Sequence, residues 1–146
     1  MYTFETKIRV RYADTDQMGY VYYGNYAAYY EVGRVEAFRS LGLSYKELEA
    51  SGIMMPVMEL KVNYHKPARY DDLLTIKVSI PEFPKARIRY VYELYNEAGE
   101  LVNTGETTLV FLDIKMNRPV RLPEVMKNKL NKFYNDGEPD AFFDFN

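Results

Sequence analysis

Residues 11–34 read RYADTDQMGYVYYGNYAAYYEVGR, a polar, glycine-containing loop that runs straight into a helical pattern. Tyr26, Tyr29, Tyr30, Gly33, Ala37, Phe38 and Leu41 recur mostly at spacings of three and four. Such spacing winds onto one apolar face of a long amphipathic helix. Asn25 reads as its N-cap and Gly42 as its stop. A helix with one apolar face needs an apolar surface to cover, and the flanking sequence supplies it as strands.

On the N-terminal side, residues 4–12 alternate, with Phe4, Thr6, Ile8, Val10 and Tyr12 against Glu5, Lys7, Arg9 and Arg11. That is the pattern of a half-buried strand. On the C-terminal side, Ser44 to Glu47 match a capping box and predict a short second helix to Ser51, stopped at Gly52. Four more alternating stretches follow, Val57 to His65, Leu73 to Ile80, Arg87 to Tyr95 and Leu101 to Ile114. Asn96 to Gly99 is a turn that makes the last two a hairpin. Pro123 opens a final helix with Met126, Leu130 and Phe133 on one side. One long helix with five mostly antiparallel strands is an α+β arrangement. A single small sheet leaves a long edge open, and such edges are commonly closed by a second copy of the chain.

Composition narrows the chemistry. The 146 residues suffice for one compact domain, and 47% hydrophobic content excludes a disordered chain. With no cysteine, disulfides, iron–sulfur clusters, thiolate zinc sites and cysteine nucleophiles are excluded. The one histidine, His65, is too few for a multi-histidine metal site, and a Ser-His-Asp triad could use only it. The net charge of −2 hides an asymmetry, because the last twelve residues, NDGEPDAFFDFN, hold four acids and no base. Residues 1–134 are therefore expected to form the domain, and 135–146 a mobile acidic and aromatic tail. The mildly basic remainder falls far below a nucleic-acid-binding footprint. The N-terminus is charged from residue 5, unlike a secretory signal, and no apolar run approaches the ~20 residues that span a bilayer. A soluble, cytoplasmic protein is the expectation.

Asp14 and Asp16 lie in the loop that feeds the long helix, whose free N–H groups and dipole favour negative charge. A carboxylate beside an oxyanion-binding helix end suits hydrolysis of an activated acyl group. By spacing alone, each aspartate fits a cap or turn residue equally well. Glu31 is expected to pair with Arg34 one helical turn on. His65 shares a strand face with Glu59, Lys61 and Asn63, and reads as a solvent-face or interface histidine. Cations that could meet phosphates are Lys66 and Arg69, then Lys85, Arg87 and Arg89, then Arg118 and Arg121.

The run YADTDQMGYVYYGNY, with YYEVGR behind it, resembles the hotdog-fold acyl-CoA thioesterases of the YbgC-type and 4-hydroxybenzoyl-CoA thioesterase branch. Their pattern, D-x-D-x-x-G-x-V-[YW]-[HY]-x-x-Y, falls on Asp14, Asp16, Gly19, Val21, Tyr22, Tyr23 and Tyr26. MPVMELKVNYHKPARYDD, residues 55–72, is similar to the family's second strand and its Pro-Ala-x-x-x-Asp turn, so the similarity covers about residues 5–130. The resemblance implies a hotdog fold, a curved antiparallel sheet wrapped around one long central helix. It implies Asp16 as the catalytic carboxylate, acting as nucleophile or general base. The backbone N–H of Tyr23 would polarise the thioester carbonyl, and Asp14 would orient the loop. Tyr23 stands where many YbgC-type members have histidine and the 4-hydroxybenzoyl-CoA enzymes have tyrosine. Gly19, Lys66 and Arg69 would contact the substrate, with Lys66 and Arg69 on the phosphates of coenzyme A. The substrate would be an acyl-CoA or acyl-carrier-protein thioester, with no metal or further cofactor. The assembly would be a homodimer or homotetramer in which strand 57–65 pairs with its copy. A non-catalytic acyl-ligand-binding hotdog protein is the alternative, and a hotdog dehydratase a more distant one.

Overall fold

A computed structural model describes residues 1–135; Asn135, the first residue of the expected tail, ends the last helix, and residues 136–146 lie outside the described residues. The chain runs β1 (Tyr2–Arg9), a 3-10 turn (Tyr12–Asp14), a second 3-10 turn (Tyr23–Asn25), α1 (Tyr26–Ser40), α2 (Tyr45–Ala50), β2 (Ile53–Met54), β3 (Val57–Tyr64), β4 (Leu73–Ile80), β5 (Arg87–Tyr95), β6 (Leu101–Asp113), β7 (Arg118–Val120), α3 (Glu124–Leu130) and α4 (Lys132–Asn135). All strand pairs are antiparallel, in the order β1-β4-β5-β6, with β3 on the other side of β6. The α+β reading therefore holds, with seven strands in place of five. The two additions, β2 and β7, pair with the last residues of β6. No described helix is long and apolar enough to cross a membrane.

The strands that alternate most cleanly build the core. Leu74, Ile76, Val78 and Ile80 of β4 face the same interior as Ile88, Tyr90, Tyr92 and Leu94 of β5. Tyr26, Tyr29, Tyr30, Ala37 and Phe38 of α1 cover them, as the helical spacing predicts. Gly33 makes this approach possible, because a Cβ there would stand 2.8 Å from Val78 and 2.9 Å from Ile76. β3 differs: α1 meets it at Tyr64, through the Tyr26 ring, nothing described pairs with its outer edge, and only Val62 is even half-buried. Val57, Met58, Leu60 and Tyr64 stand exposed along it.

Gly105 of β6 is the second place where a side chain cannot fit, since a Cβ would overlap the Tyr30 ring. Tyr30 cannot swing clear. Its ring stacks on Tyr92 at 4.2 Å and its hydroxyl donates to Asn103 Oδ1 at 2.6 Å. Gly105→Ala should therefore destabilise the fold by about 1–3 kcal/mol through overpacking, although alanine favours a strand over glycine. A urea midpoint equal to that of the unsubstituted chain would mean that Tyr30 is not held.

Three local expectations are corrected. β1 stops at Arg9 and not at residue 12, because Arg11 N–H turns to the Asp14 carboxylate and starts a 3-10 turn. Asn25 stands at the start of α1, yet its amide caps nothing there and donates instead to the Asp14 carbonyl at 2.8 Å. Arg34 makes no ion pair with Glu31 among the described residues; its guanidinium reaches the Tyr92 hydroxyl at 3.4 Å. Gly42 does end α1, in the left-handed region at φ +80°, and Ser44 Oγ caps α2 by accepting from Glu47 N–H.

Candidate active site

Asp14 organises the loop between β1 and α1. It is 5% exposed, and its carboxylate accepts from Arg11 N–H at 3.0 Å, the Arg11 guanidinium at 3.1 Å and the Tyr29 hydroxyl at 2.8 Å. Burial alone would raise the Asp14 carboxyl. The Arg11 backbone N–H, the Tyr29 hydroxyl and the Arg11 guanidinium outweigh it and hold the group below its usual value. Burial and the same carboxylate push the Tyr29 phenol above the ordinary range, which keeps its proton in place as a donor. The Asp14 carbonyl accepts from Tyr22 N–H at 2.9 Å and from Asn25 Nδ2. One buried residue thus ties the stretch after β1, the turn at 22–25 and the start of α1 together.

Asp16 is placed differently. Its main chain closes a tight turn, with its N–H on the Tyr20 carbonyl at 2.8 Å and its carbonyl taking Gly19 N–H at 3.0 Å. Gly19 sits at φ +80°, which is why glycine suits this corner. Oδ1 of Asp16 accepts from Met18 N–H at 2.9 Å and Tyr20 N–H at 3.3 Å. Oδ2 has no protein partner among the described residues. The turn therefore orients the carboxylate and leaves one oxygen free.

The following turn carries Tyr23. Tyr22 N–H is held by Asp14, and Asn25 N–H donates to the Tyr22 carbonyl at 2.9 Å. The peptide between Tyr22 and Tyr23 is thus pinned through its carbonyl, and a trans peptide directs the N–H to the opposite side. That Tyr23 N–H has no partner among the described residues. It stands just ahead of α1, where N–H groups lack intrahelical acceptors.

A cavity of about 290 Å³ brings Asp16, Tyr23, Tyr26, Tyr64, His65 and Lys66 together. Two of the expected contacts, Gly19 and Arg69, do not line it. Arg69 lies over the Tyr20 ring at 5.0 Å, and its N–H binds the Asp72 carboxylate at 2.8 Å. It helps strap the loop to residues 67–69, where Val21 N–H also meets the Ala68 carbonyl. Lys66 does line the cavity, with its Nζ 3.4 Å from Glu100.

His65 is exposed, as alternation suggested, but it lies one residue past the strand and lines the cavity. β3 ends at Tyr64, and His65 and Lys66 N–H both donate to the Val102 carbonyl, at 2.9 and 3.0 Å. These two hydrogen bonds to one acceptor close the strand, and both residues line the cavity. Glu31 lines a separate cavity with Arg34 and Tyr45, away from Asp16. Tyr26 and Tyr64 were missed by the site reading; the alternation of β3 assigns Tyr64 to one face, but nothing local says which element faces it.

Residues 10–130 match the profile of the Thioesterase-like superfamily. The chain belongs to that family. It is 33% identical over 121 residues to the acyl-CoA thioester hydrolase YbgC of Escherichia coli, covering 83% of this chain and 90% of that one. Its fold superposes on DHNA-CoA thioesterase from Staphylococcus aureus with a TM-score of 0.84 at 36% identity, over 94% of this chain and 97% of that one. A 4-hydroxybenzoyl-CoA thioesterase structure shares the fold at a TM-score of 0.79 and 21% identity, over 87% of this chain and 97% of that one. The curled antiparallel sheet with its one long helix is the hotdog fold that the sequence resemblance implied.

Proposed function

We propose that this protein hydrolyses acyl-CoA thioesters to the free acid and coenzyme A. The observation that carries the reading is the meeting, at one cavity, of Asp16, which keeps an oxygen without a protein partner, and Tyr23, whose N–H is unpartnered among the described residues. Names among its relatives support the same class, including an acyl-CoA thioester hydrolase and a thioesterase acting on DHNA-CoA. An acyl-acyl carrier protein thioesterase of Arabidopsis thaliana, 33% identical over 132 residues, keeps acyl-carrier-protein thioesters within the substrate class.

Asp16 is the reacting carboxylate. In one route, its oxygen attacks the thioester carbonyl carbon, the C–S bond breaks, and CoA leaves as a thiolate that takes a proton from solvent. Water then cleaves the mixed anhydride and restores the carboxylate. In the other, Asp16 takes a proton from water as the water attacks, and the thiolate recovers it. Both develop negative charge on the carbonyl oxygen, which Tyr23 N–H and the start of α1 stabilise. Asp14 orients the loop, Gly19 closes the turn behind Asp16, and Lys66, with Arg69 beyond it, offers positive charge to the phosphates of coenzyme A. The chemistry calls on no metal and no cofactor beyond coenzyme A itself, and the setting is cytoplasmic. Turnover of a panel of acyl-CoAs by purified protein tests the reading. Saturable binding without turnover would favour the acyl-binding alternative. His65 at the same cavity lends the dehydratase alternative one observation, and hydration of an enoyl thioester without hydrolysis would favour it.

The assembly follows from β3. An unpaired edge flanked by exposed Val57, Met58, Leu60 and Tyr64 is the kind of surface a second copy covers. A homodimer paired along β3, or a homotetramer of such pairs, is the expected species. Sedimentation of a monomer at micromolar concentration would overturn this.

A further inference from the structure

The Tyr23 turn is held from two directions. From the loop side, the Asp14 carbonyl accepts from Tyr22 N–H and from the Asn25 side-chain amide. From the opposite side, Tyr64, distant in sequence and carried on the edge strand β3, donates its hydroxyl to the Tyr23 carbonyl at 3.2 Å. The Tyr64 ring packs edge-on against Tyr23 at 6.5 Å and against Tyr26 at 5.7 Å, so the same side chain buttresses both ends of the turn. No other side chain among the described residues binds the Tyr23 carbonyl.

We propose that Tyr64 is a positioning residue for thioester hydrolysis: its hydroxyl fixes the turn so that the Tyr23 N–H meets the developing oxyanion. The inference rests on the thioesterase reading above. It assigns Tyr64 no contact with the reacting atoms, because its hydroxyl is spent on a backbone carbonyl. An oxyanion donor works only within a narrow range, about 2.7–3.1 Å from where the charge develops. Asn25 N–H holds the peptide that carries the Tyr23 N–H, through the Tyr22 carbonyl, and the Tyr64 hydroxyl holds the next peptide, through the Tyr23 carbonyl, so Tyr64 acts on the turn from the far side of Tyr23. Burial, then the neighbouring Tyr23, raises the Tyr64 phenol above its ordinary value, which keeps the hydroxyl protonated and donating. Because Tyr64 belongs to the free edge strand, the inference also links the oxyanion geometry to the strand along which a second copy would pair.

The test is Tyr64→Phe, which keeps the ring and its packing and removes only the hydroxyl. With benzoyl-CoA and hexanoyl-CoA as probes, kcat should fall about two- to tenfold, the scale of one net hydrogen bond, while KM stays within about twofold. A second readout separates positioning from general loosening. Benzoyl-CoA labelled with ¹³C at its carbonyl, bound to Asp16→Asn, should give a carbonyl band displaced to lower frequency from that of free ligand. In Asp16→Asn with Tyr64→Phe, the band should return part of the way. An unchanged kcat and an unchanged band would overturn the role of Tyr64 while leaving the thioesterase reading intact. A raised KM with unchanged kcat would overturn it too, by making Tyr64 a substrate contact. If the unsubstituted chain hydrolyses neither probe and shifts no carbonyl band, both readings fall together.

Discussion

Asp16→Asn is expected to fold normally, to bind acyl-CoA with near-normal affinity, and to hydrolyse it roughly 10²–10⁴-fold more slowly, the usual cost of losing a general base or nucleophile. The fold should survive because Oδ1, which accepts from Met18 and Tyr20 N–H, is reproduced by an amide oxygen. What changes is Oδ2, the oxygen with no protein partner, which becomes an NH₂ that can neither attack a carbonyl nor take a proton. Transient kinetics with benzoyl-CoA would separate the two parts, since the loss should fall on kcat and spare KM. Asp14→Asn should slow turnover less, because an amide still accepts some of the bonds that orient the loop. Tyr23→Phe should cost least, because its backbone N–H is retained. A folded Asp16→Asn protein with a normal kcat would overturn the assignment, and Glu31, in a separate cavity beside Arg34, is not positioned to take its place. A Tyr23→Phe loss as deep as that of Asp16→Asn would mean that the hydroxyl itself takes part.

Much of this geometry is legible in the residues, and where it is not the reasons are physical. β4 and β5 begin and end where alternation puts them, because each buries one face in the core and leaves the other half-buried. β2 and β7, two and three residues long, are too short to express any period; they exist because the long β6 offers them free hydrogen-bonding positions. Local rules failed where a distant partner outbid a near one. The Asn25 amide serves the Asp14 carbonyl eleven residues back instead of its own helix, and Arg34 turns to Tyr92 instead of Glu31. His65 keeps the exposure its alternation gives it, yet β3 ends one residue earlier, where Val102 takes two consecutive N–H groups. For the site, the loop sequence offered two aspartates whose spacing could not separate a turn residue from a catalytic one. Family resemblance assigned them provisional roles. The hydrogen bonds distinguish the two in kind: Asp14 has its carboxylate enclosed by donors, and Asp16 keeps an oxygen free. Arg69, expected at the substrate, lies over Tyr20 because the stretch after Pro67 is strapped to the loop, a contact with no local signature.

Asp14→Ala is expected to cost the fold roughly 2–4 kcal/mol, because it strands donors that have nowhere else to go. The Tyr29 hydroxyl is nearly inaccessible and donates to Asp14 Oδ2, so its truncated partner leaves a buried O–H unpaired. Arg11 contributes less to the loss, since its guanidinium is well exposed and can return to water, although its backbone N–H loses an acceptor. Asp14→Asn should cost less than Asp14→Ala, because the amide oxygen keeps one acceptor. The pH dependence has a definite sign. A carboxyl held below its unfolded value contributes stability that is complete above the ordinary carboxylate range and is lost as pH falls through the lowered folded value. The unsubstituted chain should therefore lead Asp14→Asn in Tm at pH 7, and the lead should shrink as the solution is acidified below about pH 4. Thermal unfolding followed by circular dichroism from pH 7 to pH 3 reads both slopes. Parallel slopes would mean that the Asp14 carboxylate gains nothing from its donors, and the loop that presents Asp16 and Tyr23 would then have to be held by its backbone bonds alone.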